Sequence, residues 1–213
     1  MINARPELVI VGLGELATIA CDAAGAAGNR VAAFLADDDR ARSPVETYLG
    51  APVTTLDGGH PTTDRSAERF LVAIGDNGSR RLWTRLLVER GSTATSLVHP
   101  FASRAVSARL GQGVLVCAAA TIDPEVELGD GVIIGSRVLI CHESRIGPFS
   151  RLDRGAVIGG RCEIGEGCVI GEGAVVLSNV SVGRGVIIGP RTVVTKNIPD
   201  NATAAGVPAR IKR

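Results

Sequence analysis

The sequence predicts two units of different architecture. Residues 1–100 form a small α/β unit with a parallel, Rossmann-like sheet, and residues 101–213 form a triangular parallel β-helix with a C-terminal cap. Three observations lead there. Up to Val98, short apolar runs alternate with helical stretches. Beyond it, one aliphatic residue recurs at every sixth position. Finally, the chain holds 27 glycines but only 3% aromatic residues, so small aliphatic side chains and tight backbone contacts must build the core.

In the first unit, Leu8-Val-Ile-Val-Gly12 reads as a buried strand and Glu15 to about Gly28 as an alanine-rich helix. Val31–Leu35 is a second strand, followed by Asp37 and Asp38, and Arg69–Gly75 is a third. Leu82, Trp83, Leu86 and Leu87 then recur at helical spacing, and Thr95–Val98 is a fourth strand. Alternation of this kind gives parallel strands with helices packed on them. The segment from Ala41 to Asp64 is punctuated by Pro, Gly and Thr and carries no assignable period.

The second unit is read from its repeat. Every sixth residue from Leu110 to Val194, fifteen in all, is Leu, Ile or Val. A glycine follows nine of them, read here as a turn residue, and the residue two places before is always Ala, Val, Ser, Cys or Thr. This is the hexapeptide β-helix repeat, in which each hexad forms one flat side and three close a coil. Fifteen hexads make five coils, and the segment after Val194 caps the last.

Composition excludes several classes. With 23 basic and 22 acidic residues the chain lacks the basic surface of a duplex nucleic-acid binder. No apolar stretch approaches the ~20 residues of a membrane span, and the first residues lack a secretory signal. Five cysteines with no C-x-x-C pair argue against a disulfide framework or a structural zinc site. The expectation is a reduced, soluble, cytoplasmic protein without a metal.

The repeat, together with Val11-Gly12-Leu13-Gly14, Phe34-Leu-Ala-Asp37-Asp38, Ala73-Ile-Gly75-Asp76-Asn77, His142-Glu143 and Gly206-Val-Pro-Ala-Arg210, resembles the left-handed β-helix nucleotide-sugar N-acetyltransferases of bacterial glycan pathways. The related sialic acid O-acetyltransferases share this layout. The resemblance covers essentially the whole chain. It implies a homotrimer with active sites between prisms, acetyl-CoA as co-substrate, and acetylation of the 4-amino group of a UDP-, GDP- or dTDP-linked 4-amino-4,6-dideoxy sugar.

Several residues have their own chemical warrant. Gly12 and Gly14 follow a strand and open a helix, where backbone N–H groups favour a phosphate. Asp37 and Asp38, at the end of the second strand, suit hydrogen bonds to a ribose or base. With Glu15, Gly75, Asp76 and Asn77 they make the expected nucleotide-sugar site. Of the three histidines, His60 sits in a solvated turn and His99 at the junction of the units, whereas His142 lies at a corner of the prism beside Glu143. Amine acetylation needs a base, and His suits it; the resemblance implies His142 as general base and Glu143 as its supporting acid. By the same resemblance, Arg151, Glu172, Gly189 and Pro190 lie with the acyl donor.

The chain departs from the family at four places. Arg151 stands where many relatives carry a second histidine, Gly135 where they carry Asn, Cys141 where they carry an acid, and Glu15 near the expected site of a histidine. Arg151 either donates to the acetyl oxyanion across a subunit cleft or pairs structurally with Asp153 or Glu143. The alternatives to N-acetylation are a sugar O-acetyltransferase and a scaffold that has lost the reaction. A γ-type carbonic anhydrase is set aside, since it needs three histidines on zinc.

Overall fold

The computed structural model describes residues 7–36, 47–54 and 69–212. Asp37, Asp38 and His60 lie outside the described residues. The first unit runs β1 (Glu7–Val11), α1 (Glu15–Ala26), β2 (Arg30–Leu35), β3 (Thr47–Tyr48), β4 (Ala51–Thr54), β5 (Arg69–Val72), α2 (Asn77–Glu89) and β6 (Thr93–Ala94). The sheet order is β3-β4-β2-β1-β5-β6. All neighbours are parallel except β3, which pairs antiparallel with β4. The expected parallel sheet is therefore a mixed one, and its extra hairpin comes from the segment that carries no period.

The fourth expected strand splits in two. Thr93–Ala94 completes the first sheet, while Leu97–Val98 pairs with Leu115–Val116 as the first strand of the β-helix. Arg104 occupies an aliphatic slot of the six-residue series, which hides this early coil from the periodicity. In α2 the stripe facing inward is Arg80, Trp83, Thr84 and Leu87, and Leu82 points outward at 65% exposure. An arginine in the buried stripe shifts the face from the one its leucines suggest.

All fifteen hexads from Leu110 to Val194 form two-residue strands, Arg109–Leu110 through Val193–Val194, and the inner residues stack on their equivalents 18 positions away. Three flat faces result. The first starts at Leu97–Val98, the second at Ser103–Arg104 and the third at Arg109–Leu110. Thr203–Ala205 and Arg210–Lys212 form the expected cap, an antiparallel hairpin on the end of the first face.

The glycine after each aliphatic residue is not the turn residue. A Cβ on Gly147 would lie 2.5 Å from the Glu166 nitrogen, and one on Gly171 would lie 2.7 Å from the Ile188 carbonyl oxygen. These glycines permit close stacking of consecutive coils. The left-handed turn residue comes two places later and need not be glycine: Gly167 has φ +68° and Glu143 φ +59°.

The first face does not meet solvent at its early coils. Leu97, Leu115, Cys117 and Ile133 join Leu8, Ile10, Phe34 and the alanines of α1 in one core. Ala17, Ala20, Ala23 and Ala24 are all buried, and their small side chains let α1 lie between its own sheet and the flat β-helix face. A second bond system fixes the register. Arg80 is fully buried and donates from Nε to Gly131 O (2.8 Å) and from Nη2 to Phe149 O (2.7 Å), while Asn77 Nδ2 donates to Gly167 O (2.9 Å). Residues 131, 149 and 167 are equivalent corners of three successive coils, so the start of α2 grips each in turn.

Candidate active site

The strand order reverses direction between β1 and β5, and in open α/β sheets ligands bind at that point beyond the strand ends. A cleft of about 460 Å³ lies there. Gly12, Gly14, Glu15 and Gly75 line one wall; Cys117, Ser136, Arg151, Asp153, Arg154 and Glu172 line the wall formed by the β-helix. Gly12 has φ +112°, and a Cβ there would come 3.0 Å from the Ala73 carbonyl oxygen. At Gly75 a Cβ would come 2.9 Å from Arg151 Nη1. Glycine at both places lets the backbone close up at the floor of the cleft.

Two arginines hold the Gly75 backbone beside this cleft, Arg151 in its lining and Arg80 buried behind it. Arg151 Nη1 donates to Gly75 O at 2.7 Å. Its Nε lies 2.8 Å from Asp153 Oδ1 as an ion pair, although the N–H is not aimed at that oxygen. Of the two roles open to Arg151, the structure thus displays the pairing with Asp153. Burial raises the Asp153 carboxyl above its ordinary range against the opposing pull of Arg151. Arg80 Nη1 donates to Ile74 O (2.8 Å) and Gly75 O (3.4 Å), and Nη2 also donates to Asn77 Oδ1 (2.8 Å). Burial, then repulsion from Arg151, lowers its pKa to about 10, so it stays charged at neutral pH.

The expected nucleotide-sugar residues divide in two. Gly12, Gly14, Glu15 and Gly75 reach the cleft. Asp76 and Asn77 instead serve the fold: Asp76 caps α2 by accepting from the Ser79 N–H and hydroxyl at 2.7 Å each, and Asn77 is committed to Arg80 and the β-helix carbonyls. Of the expected donor residues, Arg151 and Glu172 line this same cleft. Gly189 and Pro190 lie beside the C-terminal cap, where Gly189 donates to Ala204 O.

His142 stands elsewhere, at the corner between the second-face strand Leu139–Ile140 and the third-face strand Arg145–Ile146. Its Nδ1 lies 2.9 Å from Glu143 Oε1, and both side chains are about half exposed, at 48% and 49%. This contact orients the ring and presents Nε2 as the free nitrogen. The same ring is seated on Gly160, one coil further along. Within one chain, Arg151 and His142 occupy different sides of the prism. Cys141 offers no thiolate, because burial and then Asp123 raise its pKa. His99 is 6% exposed and its Nδ1 accepts from the Phe101 N–H at 3.1 Å, a structural role at the junction.

Sequence reasoning missed Arg154 in the cleft wall, Arg80 behind it and Gly160 under His142, and it named Asp153 only as a partner for Arg151. Asp153 had a signal: it fills a slot that is glycine in nine hexads, and such an exception frees a side chain to project. Among the described residues no group of three or more His, Cys, Asp or Glu is placed to hold a metal ion, and no helix is long and apolar enough to cross a membrane.

Coils of this repeat, a corner histidine with its carboxylate and a switch-point cleft define a hexapeptide-repeat acyltransferase. Residues 143–177 match the family described as bacterial transferase hexapeptide (six repeats). No curated protein sequence matches the chain. Among solved structures, the acetyltransferase domain of PglB from Neisseria gonorrhoeae, also solved with acetyl coenzyme A, is 30% identical with a TM-score of 0.87, covering 98% of this chain and 100% of that one. PerB from Caulobacter crescentus, solved with CoA and GDP-perosamine, is 32% identical with a TM-score of 0.79 over 99% of each chain. The chain belongs to this family, the hexapeptide-repeat nucleotide-sugar N-acetyltransferases.

Proposed function

We propose that the protein transfers the acetyl group of acetyl-CoA to the amine of a nucleotide-linked 4-amino-4,6-dideoxy sugar in bacterial glycan biosynthesis, and that it does so in the cytoplasm. His142 is the general base. Its free Nε2 takes a proton as the amine nitrogen attacks the thioester carbon; the C–N bond forms, the C–S bond breaks, and the proton passes on to the departing CoA sulfur. Glu143 holds the ring and stabilises the imidazolium. The observation that carries this reading is the oriented His142–Glu143 pair on a prism that also holds a switch-point cleft.

The cleft takes the nucleotide sugar, and the acyl donor runs along the prism toward Gly189 and Pro190. Because cleft and base occupy different sides of one chain, the site is completed between chains of a homotrimer. Arg151 then lies where the sugar of one chain meets the His142 corner of the next, placed to donate to the developing oxyanion. The second face supports this assembly: its outward row is Leu139, Val157, Val175 and Val193, with Leu177 45% exposed, whereas the third face presents Arg109, Glu127, Arg145 and Glu163. Apolar rows favour burial and alternating charges favour water. PglB and PerB, solved with acetyl-CoA or with CoA and GDP-perosamine, support the donor and acceptor classes.

The test is release of free CoA thiol with UDP-, GDP- and dTDP-4-amino-4,6-dideoxy sugars, with free amino sugars as controls. Turnover of one nucleotide sugar is expected. A product carrying acetate on oxygen would replace the amine acceptor with a hydroxyl, and a chain that binds no acetyl-CoA would be a scaffold.

A further inference from the structure

One ion pair in the cleft has no part in the reaction just described. Glu15 lies in the first turn of α1, and its Oε1 accepts from Arg154 Nη1 at 2.9 Å, from one unit to the other. Gly14 caps that helix without a side-chain bond, so the positive end of α1 faces the cleft with a carboxylate beside it. Helix N-termini favour anions. A second and independent observation points the same way. Arg80 is fully buried and its described bonds all go to carbonyl and amide oxygens. It shares the Gly75 carbonyl with Arg151, a residue of the cleft wall whose buried Nε–H makes no hydrogen bond among the described residues.

Arg154 is the adjustable cation of this set. Its side chain is 58% exposed and stands between Glu15 and Glu172, the latter at 3.7 Å. A carboxylate that reaches from a helix's first turn to a guanidinium on the opposite wall occupies the place of a bound oxyanion. Phosphate accepts from arginine with the same fork geometry and carries more charge.

We propose that Arg154 is the phosphate-binding residue of the acceptor site, that Glu15 holds its guanidinium before the acceptor arrives, and that the diphosphate of a nucleoside diphosphate displaces Glu15 on binding. This rests on the reading of the cleft as the nucleotide-sugar site. Glu15 is thus an internal competitor: it keeps Arg154 aimed across the gap and raises the threshold for weakly charged ligands. A ligand with one negative charge gains little by displacing it, whereas a diphosphate gains both the guanidinium and the helix end.

Calorimetric titration of UDP, GDP and dTDP into wild type, Arg154→Gln, Arg154→Lys and Glu15→Gln tests this, beside steady-state kinetics. Arg154→Gln is expected to weaken the best nucleotide about tenfold or more and to raise the acceptor KM alike, leaving the acetyl-CoA KM unchanged. Arg154→Lys should recover part of the loss, and Glu15→Gln should tighten binding. Equal binding by wild type and Arg154→Gln overturns the proposal alone, as does weaker binding by Glu15→Gln. Failure of wild type to bind any of the three overturns the acceptor reading with it. Binding as expected without acetyl transfer would support the proposal and sink only the reaction.

Discussion

His142 is seated on Gly160: a Cβ at Gly160 would come 2.7 Å from Nε2 and 2.9 Å from Cε1 of the imidazole. The two residues are 18 positions apart, equivalent corners of consecutive coils, so the missing side chain of one is the seat for the ring of the other. Gly160→Ala should therefore act on the reaction more than on the fold. The added methyl meets the end of a half-exposed side chain, which moves aside at little cost. We expect a change in unfolding free energy within about 0.5 kcal/mol and a kcat lowered about 100-fold by a misplaced base. Equal kcat in the variant would show that the ring keeps its place without this seat.

His142→Ala should abolish turnover while leaving acetyl-CoA affinity intact, and Glu143→Gln should retain part of the rate. General bases contribute about 10²–10⁴-fold. Full activity of His142→Ala on the true acceptor would remove the base from the mechanism.

The second face offers a clean contrast. Val157→Glu or Val175→Glu puts charge into the apolar row and should yield monomers by light scattering, with loss of activity. Arg145→Glu on the third face should leave assembly unchanged.

Arg80 anchors the two units, and its removal leaves the carbonyls of Gly131, Phe149 and Ile74 without their donor. Arg80→Met should destabilise the chain by about 3–5 kcal/mol in urea titrations. A loss below about 1 kcal/mol would mean that the shared apolar core holds the units unaided.

Asp76 gives a pH signature. The Ser79 N–H and then its hydroxyl hold this carboxyl below its usual range. A depressed carboxylate stabilises the fold fully above its unfolded pKa, near ~3.9, and loses that contribution as pH falls through the folded value. Asp76→Ala should cost about 1 kcal/mol at pH 7. Unfolding curves of variant and wild type should converge below about pH 4, and a constant gap would contradict the cap.

Much of this was legible in the sequence because the repeat fixes the inward direction of a side chain at every sixth position, and an aliphatic residue there has one place to go. The α1 alanines and Gly12 were readable for a similar reason. What could not be read is how coils and helices face one another. Asp76 and Asn77 resemble ligand contacts in sequence, yet a helix cap and a register bond use the same chemistry. Arg151 and Glu172 lie 21 residues apart in sequence but face Gly75 across one cleft, which only the packing of α1 on the first face brings about. The glycines misled in a different way, since close stacking and sharp turning both exclude a side chain.

The grip of Arg80 and Asn77 on corners 131, 149 and 167 dictates where this chain tolerates a change of length. A whole coil added or lost beyond Gly173 leaves every gripped carbonyl and the described lining of the cleft in place and alters how far the prism extends past it. The same coil inserted between Gly131 and Gly167 would slide the prism by one rise, about 4.8 Å, past the anchored helix. The gripped coils thus set where the cleft sits along the prism, and the coils past Gly173 set how much flat wall continues beyond it.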